Sequence, residues 1–170
     1  MVGQYDIKKE RHYKTLGFYA HIKMIEYIKS KTEEIRAIIV RNSYSKPGIT
    51  FVTPDDYSQQ LAYMHHPKGH IILPHVHNEV KREVLYTKEV LVIKSGRLRC
   101  DFYSEAKTYE KSVVIETGDV ILLVSGGHGF ECLEEVEMLE VKQGPYTGEG
   151  DKTRFDPTQT IILKEGTTDE

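Results

Sequence analysis

The sequence predicts a mainly β protein, a sandwich or barrel of short antiparallel strands with one short helix near the N-terminus. Three observations carry this reading. About nine short runs rich in β-branched and aromatic residues follow one another after Glu34. Turn residues fall between the runs, at Lys46-Pro47-Gly48, Pro67-Lys68-Gly69, Lys94-Ser95-Gly96, Thr117-Gly118 and Gly126-Gly127. The chain has 170 residues, of which 39% are hydrophobic and 29% charged, the length of one domain with enough apolar material for a core.

Taken in order, residues 1–16 mix charge with isolated Tyr and Leu, show no sustained period and read as an arm docked on something else. Ile22, Ile25 and Ile28, with Met24 one turn before Ile28, predict a short amphipathic helix whose polar side carries Lys23, Glu26 and Lys29. The predicted strands are IRAIIV, GITFV, QLAYM, HIILPHVH, EVLVI, LRCDFY, SVVIE, DVILLV and EMLEV. This divides the chain into residues 1–50 (arm, helix and first strand, packing on a barrel), a barrel over 51–146, and a partly irregular tail over 147–170. In that tail Ile161, Ile162 and Leu163 are apolar enough to pin it to the body.

Charge narrows the partners. Lys and Arg total 23 against 26 Asp and Glu, a formal charge of −3, so there is no chain-wide basic field to attract nucleic acid or an anionic membrane. The uncharged stretch from Val120 to Phe130 is far shorter than the roughly 18 apolar residues that cross a bilayer. The polar N-terminus lacks the apolar core and small-residue cleavage site of a secretory signal, so the expected compartment is the cytoplasm. Cys100 and Cys132 are then expected as free thiols, Cys100 in the core and Cys132 with the strand parity of His128 and Phe130.

The histidines carry the chemistry. Of eight, at positions 12, 21, 65, 66, 70, 75, 77 and 128, His75 and His77 form a His-x-His pair. On a strand this spacing puts both imidazoles on one face with Ile71 and Leu73, leaving His70, Ile72, Pro74 and Val76 to be covered by the rest of the chain or a partner subunit. Alone, such a pair is a weak metal signal. It does not stand alone: Gly69, five residues, His75-x-His77 is followed by Glu89, six residues and Gly96, and later by Gly118 through His128.

These two segments resemble the two motifs of the cupin superfamily, over about residues 55–145. The resemblance implies a cupin-type double-stranded β-helix, a jelly-roll barrel, with His75, His77, Glu89 and His128 as ligands of one divalent transition metal. The departures are specific. Eleven residues separate His77 from Glu89 where the motif has three or four, which leaves Glu83 as a competing carboxylate. The second motif has Val124 for its proline, is one residue short before His128, and has Cys132 for its asparagine. Three imidazoles and a carboxylate suit Fe, Mn, Ni, Co or Zn and leave one or two coordination positions open.

The resemblance further implies a small-molecule enzyme of the isomerase or epimerase type acting on a sugar-like or other anionic metabolite, with Glu89 moving the proton. With iron the same ligands would support a dioxygenase, and without turnover a metal- or ligand-binding module. Arg82, beside Lys81, is the candidate clamp for a carboxylate or phosphate, set against the plainer reading of that charged run as a solvated loop. Tyr86 and Gln143 complete the substrate-binding candidates. An edge strand or arm with two apolar faces would favour a homodimer.

Overall fold

The computed structural model describes residues 24–145 and 147–157. Among the described residues there are ten strands: β1 Ile25–Lys29, β2 Ile35–Val40, β3 Gly48–Phe51, β4 Ala62–His65, β5 Glu89–Ser95, β6 Arg97–Tyr103, β7 Tyr109–Glu116, β8 Val120–Leu123, β9 Gly127–Cys132 and β10 Glu137–Lys142. A single 3-10 turn, Gly148–Asp151, follows. The strands form a five-stranded sheet in the order β1-β2-β8-β5-β10, a three-stranded sheet β7-β6-β9 and the hairpin β3-β4, antiparallel throughout and none closed on itself among the described residues. No helix among the described residues is long and apolar enough to cross a membrane.

The core lies on both faces of the five-stranded sheet. Ala37, Ile39, Leu91, Ile93, Ile121 and Leu123 pack on one face against Leu98, Cys100, Phe102 and Ile115 of the three-stranded sheet. The alternate residues Ile38, Val40, Val90 and Leu122 pack on the other, against Val52, Leu61 and Tyr44 around the β3-β4 hairpin. A strand covered on both faces needs no polar alternation, which is why residues 37–40 of β2 read as one apolar run.

This two-faced burial also corrects the expected helix. Ile25–Lys29 is a strand, paired antiparallel with β2 from Ile25↔Val40 to Lys29↔Ile35. Residues three apart share a helix face but lie on opposite faces of a strand. Ile28 joins the core between the two large sheets, and Ile25 packs with the core on the other side. With both faces apolar, the spacing mimics a helical stripe, and β-branched Ile favours the extended form.

A second correction concerns HIILPHVH. Its residues do not form a strand: nothing between β4 and β5 is regular, and every residue from Pro67 to Tyr86 is exposed. Pro74 interrupts the run and has no N–H to donate to a ladder. Conversely, β9 was not among the predicted runs, because Gly127 and Gly129 dilute its pattern. Its pairing with β6, from Cys132↔Leu98 to Gly127↔Tyr103, holds it in place. The other eight predicted runs are strands. The N-terminal arm, His12, His21 and the apolar Ile161, Ile162 and Leu163 lie outside the described residues.

Candidate functional site

Glu89 opens β5. It shares strand parity with Leu91 and Ile93, so its side chain belongs to the face that meets the three-stranded sheet, at the end where that face runs out of apolar cover. Directly opposite it in register on β10 is Lys142. His128, on β9 of the three-stranded sheet, sits opposite Phe102 and so points to the same inter-sheet space. The two sheets thus bring to Glu89, from two other strands, residues 39 and 53 positions further along the chain, with His128 Nε2 3.3 Å from Glu89 Oε2 and Lys142 Nζ 3.8 Å from Glu89 Oε1.

Two glycines singled out in the sequence shape the turns at the other end of the same strands, since Glu89 pairs with Leu123 while Gly118 bonds to Ile93. Gly96, between β5 and β6, has φ +84°, and a Cβ there would collide with the Glu135 carbonyl. Gly118, before β8, has φ +86° and lies against the Asn42 side chain. Both positions demand a left-handed backbone with no room for a side chain, which only glycine accepts readily. Asp119 follows, buried, accepting hydrogen bonds from Arg41 Nη1 at 2.7 Å and from the Asn42 amide at 2.8 Å.

The electrostatics favour an ionised Glu89. The hydrogen bond donated by His128 holds its carboxyl below the usual carboxylate range, against the opposing effect of burial, and the charges of His128, Lys142 and Lys152 add to the lowering. Lys142 also pairs with Glu140 at 3.1 Å. A half-buried carboxylate gripped at one oxygen by an imidazole and approached at the other by an ammonium can hold a cation or exchange a proton.

The predicted residues divide. Glu89 and His128 come together; of the two candidate carboxylates, Glu83 lies in the exposed segment and Glu89 beside the imidazole. His75 and His77 lie near each other, ring centroids 5.3 Å apart, on the exposed segment before β5. Among the described residues no three His, Cys, Asp or Glu side chains converge as a metal-binding group. Arg82 Nη1 donates to the Val80 carbonyl of its own loop at 3.4 Å, and Tyr86 is 79% exposed. Gln143 is a buckle at the sheet edge: its Oε1 accepts the Lys88 amide at 2.7 Å, fixing the entry to β5, while its Nε2 is buried without an acceptor.

Compared with known proteins, the chain matches no family model, no curated protein and no solved structure. The site is therefore read from its own residues. Lys142 is the member that sequence reasoning passed over. Its only sequence signal was membership of the last clear strand, and its partner is set by the β5-β10 register, which no local pattern displays.

Donor chemistry fits a divalent ion in part. Glu89 and His128 supply one carboxylate oxygen and one imidazole nitrogen, hydrogen-bonded to each other and of the donor types that borderline ions prefer. His75 and His77 are the same donor type, carried on the segment that leads directly into Glu89.

Proposed function

We propose that this chain is a metal-binding cupin that acts on a small polar metabolite, with its site at Glu89 and His128. The juxtaposition of Glu89 and His128 across the two sheets is the observation that carries the reading. In it His75 and His77, with Glu89 and His128, hold one divalent transition metal. The exposure of Ile71 and Leu73, 75% each, supports a role for the same segment in closing the site. They share the alternation of His75 and His77, and large apolar side chains so placed gain by being covered.

A bound divalent ion would supply a Lewis acid that polarises a substrate carbonyl or gathers vicinal oxygens. The chain's own residues do the rest. Glu89, kept ionised by its neighbours, accepts the proton of an isomerisation or epimerisation at a carboxylate oxygen and returns it there. Without an ion His128 orients that carboxylate by its hydrogen bond, which coordination through Nε2 would replace, and Lys142 keeps positive charge on the opposite oxygen.

Elemental analysis of anaerobically purified wild type beside His77→Ala and His128→Ala tests the reading. We expect about one transition-metal ion per chain in the wild type, lost in both variants. Iron with oxygen uptake on a panel of sugars and small acids would move the chemistry to a dioxygenase. Metal without any turnover would leave a binding module, and a metal-free wild type would overturn the site.

A further inference from the structure

The chain beyond β10 does more than end the fold. From β10, an edge of the five-stranded sheet, it continues through the 3-10 turn Gly148–Asp151 to the outer face of the three-stranded sheet. It therefore bridges the two edge strands, β10 and β9, that contribute Lys142 and His128 to the site. Two of its contacts reach the ends of β5 and β9. Asp151 Oδ1 accepts a hydrogen bond from Thr87 Oγ1 at 3.2 Å, two residues before Glu89 and at the end of the exposed segment that carries His75 and His77. Phe155 is the second, and the one residue from 151 to 157 that is not exposed.

The seat of Phe155 is made by a missing side chain. Its ring stands edge-on to Tyr103, centroids 5.2 Å apart at 86°, and covers Gly127, where a Cβ would lie 3.1 Å from the ring. The Lys107 ammonium lies 5.7 Å from the ring centroid. Gly127 is the residue before His128, so Phe155 rests on the piece of backbone that sets His128.

We infer that residues 147–155 are a strap across the open side of the site, docked by Phe155, and that its docking is coupled to occupancy of the Glu89–His128 pair. The inference rests on the metal reading above. One anchor touches the entry to β5 and the other the start of β9. A ligand held by both Glu89 and His128 ties β5 to β9, the two elements on whose ends the strap sits, and by linkage a docked strap strengthens that ligand's binding by the same factor. Phe155 is thus a positioning residue acting through His128.

The strap carries its own reporter, because Lys152 and Arg154 are exposed and trypsin cuts after each. The experiment follows cleavage after these two residues by mass spectrometry in the full chain, freed of metal by a chelator and then titrated with Mn2+. Mn2+ affinity is measured separately by electron paramagnetic resonance. We expect saturating Mn2+ to slow cleavage at both bonds at least about fivefold, a coupling of ordinary size. Phe155→Ala should speed cleavage in the metal-free protein and weaken Mn2+ binding by the factor that wild-type protection shows, and Phe155→Leu should restore much of both. Mn2+ bound with unchanged cleavage, or Phe155→Ala binding Mn2+ as the wild type does, overturns the strap alone. Failure of the wild type to bind Mn2+ overturns the metal reading and the strap with it.

Discussion

The two oxygens of Glu89 have different partners, and that division is the chemistry of the site. One faces His128 from the other sheet; the other faces Lys142 from the neighbouring strand. Neither cysteine takes part in this arrangement, and the two are not equivalent. Cys100, on β6, is buried between the two larger sheets, and its thiol is pushed up to about 12, chiefly by burial and then by the charge of Asp101. Cys132 is exposed at the end of β9. A thiolate-specific reagent at neutral pH should therefore label one cysteine in the native protein and two after denaturation, with peptide mapping assigning the first to Cys132. Rapid labelling of both in the native state would contradict the burial of Cys100. At this scale Glu89 and His128 were legible, because side-chain type and spacing along the chain carry them. Lys142 was not, because its role exists only across a strand pair.

The strands show what a local pattern can and cannot report. In β2 consecutive residues are buried on opposite faces, Ile38 against the β3-β4 side and Ile39 against the three-stranded sheet. Ile38→Ala and Ile39→Ala should each cost about 2–5 kcal/mol, measured by urea denaturation, since each leaves a cavity in a fully packed layer. A half-exposed strand would show one large and one small loss. The same two-sidedness made Ile25 and Ile28 look helical, and Pro74 with unpaired neighbours left HIILPHVH without a ladder. In Ile25–Lys29 the apolar residues are covered, but on two faces by neighbouring strands, whereas in HIILPHVH Ile71, Ile72 and Leu73 stay exposed instead of forming an inward row. What covers a residue is a non-local fact.

Across the whole molecule the sheets are tied by charge as well as by apolar contact. Arg36 of β2, with 3% of its side chain exposed, reaches Glu110 at 2.8 Å and Glu105 at 2.7 Å in and beside β7 of the other sheet, and donates to Ser125 at 3.1 Å. Glu105 has its carboxyl lowered from the usual 4.5 by a hydrogen bond to its own backbone amide and by Arg36. A carboxyl whose folded value is depressed stabilises the fold above its unfolded value, and that contribution disappears as pH falls through the folded value. Glu105→Gln should thus cost a few tenths of a kcal/mol to about 1 kcal/mol at pH 7, small because the side chain is largely exposed to screening solvent. The difference from wild type should shrink as pH falls below the usual 4.5 and through the lowered folded value, and chemical denaturation across that range reads it directly. A penalty independent of pH would show that the ion pair is not its source.

By itself the sequence determined the β class, eight of the strands, the turn glycines Gly96 and Gly118, and the residue types of the site. These follow from alternation, from backbone angles only glycine accepts, and from the chemistry of imidazole and carboxylate, all of them properties of a residue and its near neighbours. Tertiary structure alone decided that Ile25–Lys29 is a strand, that Glu89 meets His128 while His75 and His77 stay on an exposed segment, and that Lys142 and the Phe155 strap belong beside them. Each depends on strand register or on two sheets meeting, contacts between residues far apart in the chain that no local period encodes.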